Sequence, residues 1–362
     1  MSFNNDSFWC NRRVFITGST GFKGAWLGLW LASKGAKLAG YGLPPEKPED
    51  FFVAADINEF CPTTHADIRD TARLSNALDK FRPQIIFHLA AQPLVRPSYL
   101  DPLETWSTNV IGTCNLLEAA RHLDSIESIV VVTSDKCYRN RSWDWGYRET
   151  DELGGSDPYS ASKAASEIVV SSFRTSFFAK AGIGLASARA GNVVGGGDWA
   201  NDRLIPDIVR AWRKNEEVIL RYPDATRPWQ HVLDCLHGYI LLAEKLQKDP
   251  ADYSRAWNFG PSPQGEASVL DVLKLISLVL PVQMRILDSV QHHEAPRLNL
   301  DSTLAAKKLG WRSHLDLALT MQWTADWYAR FARGEMARTI SMTQLTDYQY
   351  RISKLSKDML VP

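Results

Sequence analysis

This 362-residue sequence predicts an α/β fold: a doubly wound parallel sheet joined to a smaller mixed α/β C-terminal lobe. Three observations carry that prediction. Short apolar runs alternate with amphipathic helical segments through the first half of the chain, and such alternation builds a parallel sheet covered by helices on both faces. The first apolar run passes directly into glycines 18, 21 and 24 and then into a helical pattern, which is strand, tight turn and helix in sequence form. After residue 190 the rhythm breaks at Gly191-Asn192-Val193-Val194-Gly195-Gly196-Gly197-Asp198-Trp199, and helical pieces then mix with short strands and proline-rich loops.

Taken from the N-terminus, residues 12–17 form the first strand, and the helix after the glycines has Trp26, Leu27, Trp30 and Leu31 on its apolar face. Strands at 37–41, 84–88 and 129–133 continue the pattern, with helices at 70–81 and 108–122 between them. A helix carrying Tyr159 and Lys163 leads to a strand at 183–189. Beyond the break, helices are predicted at 205–214, 234–246, 268–279, 302–309 and 315–331. Residues 232–259 are predicted to return to the first sheet. The nucleotide-binding domain then comprises 1–190 plus about 230–260, and the second lobe about 191–229 and 261–337. The last residues, 338–362, are polar and are predicted to be a tail with at most partial order.

Forty-one basic residues balance forty-one acidic ones, so no net field draws the chain to nucleic acid or to an anionic membrane surface. A hydrophobic content of 45% with 23% charge is that of an ordinary globular protein with a large core. The five cysteines (Cys10, Cys61, Cys114, Cys137, Cys235) contain no C-x-x-C pair, which favours reduced thiols and a cytoplasmic setting over a disulfide framework. The longest apolar run, 25–32, is too short to span a bilayer, and residues 1–13 lack the apolar segment of a signal peptide. Of the thirteen tryptophans, Trp143, Trp145, Trp199 and Trp229 fall in loop-like text and are expected to serve packing.

Gly18, Gly21 and Gly24 allow a tight turn, close approach to a pyrophosphate, and packing of helix on strand, while the helix N-terminus offers free N–H groups to the anion. Thr20, Phe22 and Lys23 complete this cradle. The spacing resembles that of extended short-chain dehydrogenases/reductases, which implies a Rossmann-type domain and a nicotinamide dinucleotide. The acidic residue that usually ends the second strand and holds the adenosine ribose is missing, because that strand ends Ala39-Gly40-Tyr41-Gly42-Leu43. The local sequence therefore leaves NAD and NADP both open and points to modest affinity. The same resemblance implies that Asp67 and Ile68 hold the adenine edge and that Leu89, Ala90, Ala91 and Gln92 run beneath the cofactor.

The chemistry lies in Thr133-Ser134-Asp135-Lys136-Cys137-Tyr138 and Tyr159-Ser160-Ala161-Ser162-Lys163. Tyr159 and Lys163 lie on one helix face, so an ammonium can stand near the phenol. Cations there, Lys163 and an oxidised nicotinamide, favour the phenolate over an ordinary phenol of pKa about 10 and make Tyr159 a base near neutral pH. The spacing alone is a weak signal: Tyr350 and Lys354 repeat it in the polar tail, with no glycine loop or preceding serine beside them. Ser134 at a strand end would share a hydrogen bond with the substrate hydroxyl that Tyr159 deprotonates. A simple dehydrogenase or epimerase needs no more than these groups. Asp135 and Lys136 add two proton carriers, which a dehydration requires. Once a ring carbon is a ketone, the neighbouring proton becomes acidic and must be taken while the departing hydroxyl is protonated.

With residues 17–24, 90–95, 133–138, 159–163, 190–199, 227–232 and 257–260 taken together, the chain resembles the nucleotide-sugar 4,6-dehydratases over nearly its whole length, and among them the branch acting on CDP-D-glucose. This implies NAD as cofactor and CDP-D-glucose as substrate. The products would be CDP-4-keto-6-deoxy-D-glucose and water, by hydride transfer from C4 to C6, in deoxysugar supply for O-antigen and lipopolysaccharide. In the dTDP-glucose branch the triplet is Thr-Asp-Glu, with Asp as acid and Glu as base. Here it is Ser134-Asp135-Lys136, so Asp135 carries over as the acid, while Lys136, kept neutral by neighbouring positive charge, is inferred as the base. Asn192, Arg203, Arg227 and Arg297 fall where related enzymes bind the nucleoside diphosphate, and guanidinium groups suit phosphate. The family also implies a homodimer through a four-helix interface built from 108–122 and 159–178, with a dimer of dimers as the larger assembly.

His292-His293-Glu294 and the His231/His237 pair do not complete a metal ligand set, so no metal is expected. Two alternatives stay open. One is a nucleotide-sugar 4-epimerase of the same fold, which shares Ser134, Tyr159 and Lys163 but has no use for Asp135 and Lys136. The other is a non-catalytic dinucleotide-sensing regulator, which has no need of the phenol and its lysine.

Overall fold

The computed structural model describes residues 8–220, 222–261, 266–286 and 298–358. Strand β1 (Arg13–Thr17) leads through the glycine turn into α1 (Phe22–Ser33), β2 (Lys37–Gly42), a short α2 (Phe51–Ala54) and β3 (Thr63–His65). Helix α3 (Thr71–Phe81), whose N-cap Asp70 accepts from the Arg73 N–H, precedes β4 (Ile85–His88). Then come α4 (Val95–Leu100), α5 (Pro102–Trp106), a π-turn at Ser107–Ile111, α6 (Gly112–Ala120) and β5 (Ser128–Val132). Helix α7 (Pro158–Phe173) and β6 (Gly184–Ala190) complete the regular alternation. The second half holds β7 (Asn192–Val194), α8 (Leu204–Lys214), β8 (Val218–Leu220), β9 (Thr226–His231), α9 (Val232–Lys248) and α10 (Pro250–Tyr253). It ends with β10 (Ala256–Phe259), β11 (Glu266–Ser268), α11 (Val269–Ser277), β12 (Met284–Ile286), α12 (Leu317–Ala332) and α13 (Ala337–Asp358).

Seven strands pair in the order β10-β6-β5-β4-β1-β2-β3, every pair parallel. The period of two along each strand sorts side chains to the two faces. Val14 and Ile16 join Trp26, Leu27, Trp30, Leu236 and Ile240 on one face, and Phe15 joins Leu74, Leu78, Leu116, Leu117 and Val170 on the other. Both faces are thereby buried, as a wholly parallel sheet requires. Strand β9 pairs with β7 and β11 in a separate three-stranded sheet, and β8 pairs with β12.

The order of strands reverses between β1 and β4, and in open α/β sheets the crevice at the carboxyl ends beside such a reversal is where ligands sit. The sheet order brings the ends of β1, β4 and β5 together, so Gly18, Leu89 and Ser134, which follow those strands, share one edge. The chain reaches the site at three distant points in sequence because topology makes those points neighbours.

Three sequence expectations change. The helix expected at 108–122 is interrupted by the π-turn at Ser107–Ile111. The segment expected as a helix at 302–309 holds a π-turn at Ala305–Leu309. The polar tail is the long helix α13, anchored by buried Ile340, Leu345 and Tyr348. Tyr348 donates a hydrogen bond to the buried Asp234 carboxylate at 2.7 Å. Polar composition concealed that helix because the apolar residues that anchor it, Ile340, Leu345 and Tyr348, are few and widely spaced.

Candidate active site

The glycine turn after β1 is shaped by backbone contact. Gly18 has φ +71°, and a Cβ there would lie 2.7 Å from the Ala90 nitrogen and the Leu89 carbonyl carbon. Its N–H donates to Tyr41 O at 2.7 Å. A Cβ on Gly24 would stand 2.1 Å from Gly18 O, so only glycine lets α1 begin so close to the turn. Helix α1 has no side-chain N-cap, which leaves its first N–H groups facing outward from Gly21. At Gly21 a Cβ would meet only Gly18 O, at 3.4 Å. The result is an open anion cradle, and it fits the pyrophosphate of a dinucleotide.

The surroundings of that cradle depart from the usual pattern. Where an acidic residue is ordinarily found after β2, Thr20 Oγ1 donates to Leu43 O at 2.9 Å. The Asp67 carboxylate accepts from the Arg69 backbone at 2.8 Å and from its guanidinium at 2.9 and 2.6 Å. Arg69 holds that carboxyl below its ordinary range. Asp67 is thus committed to Arg69, while Ile68 is buried in the core. The half-buried segment Leu89, Ala90, Ala91, Gln92 is tied back to the sheet: Ala90 N–H donates to Thr17 Oγ1 at 3.2 Å, and Gln92 N–H to Asn109 Oδ1 at 2.8 Å. Asn109 Nδ2 also donates to Ser162 Oγ at 2.8 Å, joining this loop to α7.

Ser134, Asp135, Tyr159 and Lys163 meet at the end of β5. Ser134 caps a 3₁₀ turn, Asp135–Cys137, by accepting from the Lys136 N–H at 3.2 Å, and its own hydroxyl donates to Asp135 Oδ1 at 2.9 Å. Tyr159 and Lys163 are held on α7, whose first turn is fixed by Pro158 and by Asp157 accepting from the Ser160 N–H at 2.9 Å. Asp135 is 2% exposed and faces Gly191, where a Cβ would come within 3.1 Å of Oδ2. Lys136 is half-buried, and its ammonium makes no hydrogen bond or ion pair among the described residues.

The electrostatics are set mainly by burial. Burial pushes the Tyr159 phenol up to about 12, Asp135 raises it too, and a hydrogen bond with Ser134 and the charge of Arg203 oppose the rise. Burial, then the nearby Lys23 ammonium, brings Lys163 down to about 8. Arg203 is thus a cation of the protein that lowers the phenol, and a positive cofactor ring would lower it further.

Arg203 precedes α8 and pairs with Asp198 at 2.8 Å, so one candidate phosphate ligand reaches the phenol's neighbourhood. Asn192 lies on β7 opposite Trp229. Arg227 is buried on β9 and donates to Thr226 O at 2.7 Å. Arg297, like His292, His293 and Glu294, lies outside the described residues. Among the described residues, no three His, Cys, Asp or Glu side chains group as metal ligands.

Sequence reasoning missed the polar layer beneath the site. Glu167, one helical turn past Lys163, accepts from Arg189 Nη2 and from Ser187 Oγ, each at 2.7 Å, and from Thr133 Oγ1. Arg189 Nη1 donates to Tyr138 Oη at 2.7 Å, and Tyr138 donates to Asn258 Oδ1 at 2.7 Å. The layer fastens α7 to both ends of the Ser134–Cys137 turn. Two signals in the sequence mark it: Glu167 continues the Tyr159, Lys163 face by four residues, and Arg189 interrupts a strand otherwise made of small and apolar residues.

Residues 15–323 match the model of the GDP-mannose 4,6 dehydratase family. The chain is 47% identical to the CDP-glucose 4,6-dehydratase of Salmonella typhimurium over 349 residues, 94% of this chain and 97% of that one. It is 26% identical to a UDP-glucose 4-epimerase of Mycolicibacterium smegmatis over 328 residues, 87% of this chain and 98% of the relative. Among solved structures, the fold matches a UDP-glucose 4-epimerase of Stenotrophomonas maltophila with bound NAD, at TM-score 0.77 and 22% identity over 90% of this chain and 100% of that one. It also matches the NAD complex of the Brucella ovis UDP-glucose 4-epimerase, at TM-score 0.75 and 22% identity over 88% of this chain and 98% of the other. The chain belongs to the GDP-mannose 4,6 dehydratase family of nucleotide-sugar enzymes.

Proposed function

We propose that this chain is an NAD-dependent nucleotide-sugar 4,6-dehydratase that converts CDP-D-glucose to CDP-4-keto-6-deoxy-D-glucose and water. The observation that carries the reading is the buried run from Tyr159 through Ser134 to Asp135 with Lys136 next in line. It provides two proton carriers beyond what an epimerase uses. The substrate follows from the 47% identity to a CDP-glucose 4,6-dehydratase.

NAD would be held by Gly18, Thr20, Gly21, Phe22, Lys23 and Gly24 at the pyrophosphate and by Leu89, Ala90, Ala91 and Gln92 along its length. When bound, it supplies the carrier that accepts hydride from C4 and gives it back at C6. Tyr159 takes the proton of the C4 hydroxyl, and Ser134 hydrogen-bonds that oxygen. Lys136 takes the C5 proton, which the new ketone acidifies, and Asp135 protonates the departing C6 hydroxyl. Lys136 then returns its proton to C5. Asn192, Arg203, Arg227 and Arg297 bind the nucleoside diphosphate, with 191–229 and 261–337 forming the lobe that covers 1–190 and 230–260.

Assembly and location complete the reading. Ile111, Ile168 and Phe177 are 52%, 61% and 42% exposed on the helical face that includes α6 and α7, which supports a homodimer through four helices. Among the described residues no helix is long and apolar enough to cross a membrane; a cytoplasmic site of action is part of the proposal. The test offers CDP-, UDP-, dTDP- and GDP-glucose carrying deuterium at C4, with NAD present. Deuterium at C6 of a 4-keto product, formed fastest from CDP-glucose, is the expected result. Label retained at C4 of a galactose product would establish the epimerase instead.

A further inference from the structure

The proton carriers and the hydride-step groups hang from different parts of the fold. Tyr159 and Lys163 sit on α7, which is anchored by its Asp157 cap, by Asn109 Nδ2 donating to Ser162 Oγ, and by Ser166 Oγ donating to Asn109 O at 2.9 Å. Asp135 and Lys136 instead lie on the short turn after Ser134. The Tyr138 N–H closes that turn at its exit by donating to Asp135 O at 3.3 Å. The backbone then bridges to Leu153, while the Tyr138 side chain runs inward and is buried.

Tyr138 ends at a buried hub. Its hydroxyl donates to Asn258 Oδ1 on β10 at 2.7 Å, and Asn258 Nδ2 gives its two protons to Tyr147 O at 2.8 Å and Asp301 O at 3.2 Å. Each side-chain bond of that amide goes to a different segment of the chain, so the amide has one orientation and the phenol one resting place. The Tyr138 ring also stacks on Tyr147, with centroids 5.3 Å apart. Tyr147 N–H donates to Asn299 O at 2.8 Å, and Asp301 N–H donates to Tyr147 O at 2.9 Å. A Cβ on Gly146 would lie 2.6 Å from Asp301 N and 2.7 Å from the Leu300 carbonyl carbon, so these two stretches of backbone touch. Residues 299–301 belong to the lobe proposed to hold the nucleoside diphosphate.

We propose that Tyr138 is a positioning residue for dehydration: through Asn258 it sets the turn bearing Asp135 and Lys136 in the frame of the second lobe, and withdrawal of hydride from C4 does not depend on it. The inference rests on the reading of Asp135 and Lys136 as the two proton carriers. The sugar is tied to the nucleotide that the lobe binds, so an acid and a base fixed to the same lobe meet C6 and C5 at a constant distance. Proton transfer fails when that distance leaves hydrogen-bond reach. Tyr159 is placed by other contacts. Arg189 Nη1 donates to Tyr138 Oη as well, at 2.7 Å, but the bonds of Arg189 to Glu167 and, at 3.1 Å, to Glu149 O survive loss of that hydroxyl, and α7 keeps its seat.

CDP-glucose is mixed rapidly with the NAD-loaded protein, and reduced nicotinamide is followed by its near-ultraviolet absorbance. The signal rises as hydride leaves C4 and falls as hydride arrives at C6, which requires that water has left across C5 and C6. In Tyr138→Phe the rise keeps the wild-type rate and the fall slows roughly tenfold or more, so reduced nicotinamide accumulates. Gly146→Ala, which displaces residues 300–301 and keeps every hydroxyl, gives the same pattern. Tyr348→Phe is the control: it loses an equally buried phenol bond, to Asp234 at 2.7 Å, and keeps both wild-type phases. Urea denaturation of all three variants accompanies the kinetics, because a merely structural loss lowers stability without separating the phases. Rise and fall slowed alike in Tyr138→Phe, or neither changed, overturns the positioning role, as does accumulation in Tyr348→Phe. A wild-type fall in Gly146→Ala overturns the tie to the second lobe. The underlying reading fails separately: Asp135→Asn and Lys136→Met proteins with a wild-type fall would remove the proton carriers, and deuterium that never reaches C6 would remove the dehydratase.

Discussion

Tyr159 and Lys163 on α7 and Tyr350 and Lys354 on α13 have the same spacing on regular helices, yet their surroundings are opposite. The first pair is 7% and 6% exposed; Tyr350 is 68% exposed, and Lys354 stands on the surface with it. On α7 the phenol is raised to about 12 and the ammonium lowered to about 8, both chiefly by burial. Helical spacing brings two side chains to one face, but the low-dielectric site decides whether they become reagents. The largest expected effect breaks the pair apart functionally. Tyr159→Phe lowers kcat about 10³-fold, within the range of a lost general base, while Tyr350→Phe changes it less than about twofold. Steady-state assays of both variants on CDP-glucose decide the matter; comparable losses would mean that spacing, not setting, carries the role.

The contrast also shows what sequence can and cannot reveal. The glycine turn, the alternating elements, and the grouping of Ser134, Asp135, Tyr159 and Lys163 were legible because each rests on local pattern or on elements of fixed order. The buried network was not, since Glu167 and Arg189 look like ordinary surface charges until the sheet places β6 beside α7. Helix α13 was missed for the same reason: Ile340, Leu345 and Tyr348 are sparse in the text and meaningful only against Trp30 and Asp234. Sequence also gives no measure of burial: with the Lys23 charge beside it, burial leaves the Lys163 ammonium itself destabilised.

Glu167 extends the α7 face downward into the core, whereas Lys354 on α13 stays at the surface. Its pairing with Arg189 is 2% and 4% exposed, and Arg189, Thr133 and Ser187 outweigh burial to keep the carboxyl below its ordinary range. Glu167→Gln leaves Arg189 as an uncompensated buried charge, a loss of about 3 kcal/mol or more. The exposed pair Glu118–Arg121 at the end of α6 is the control, where removal leaves stability nearly unchanged. Urea denaturation of the two variants measures the difference. A Glu167→Gln protein as stable as the wild type would show that the layer beneath the site is dispensable to folding.

The smallest effect is the most specific, because its sign is opposite to that of most core substitutions. Lys163 is lowered from 10.5 to about 8 in the folded protein. Between those pH values the unfolded chain binds more protons than the native one, so this residue makes stability rise with pH from about 8 toward 10.5. Below about 8 both states carry the charge, and the full cost of burying it is present. Lys163→Met therefore stabilises the NAD-free protein at pH 7 by about 2–3 kcal/mol, and the gain fades as pH approaches 10. Lys354→Met, at the exposed pair, shifts stability by less than about 0.5 kcal/mol at either pH. Unfolding free energies of the wild type and both variants at pH 7 and pH 10 make the test. A Lys163→Met protein less stable than the wild type, or a gain independent of pH, would mean that the ammonium on α7 is held by compensating contacts and is not a strained reagent kept for catalysis.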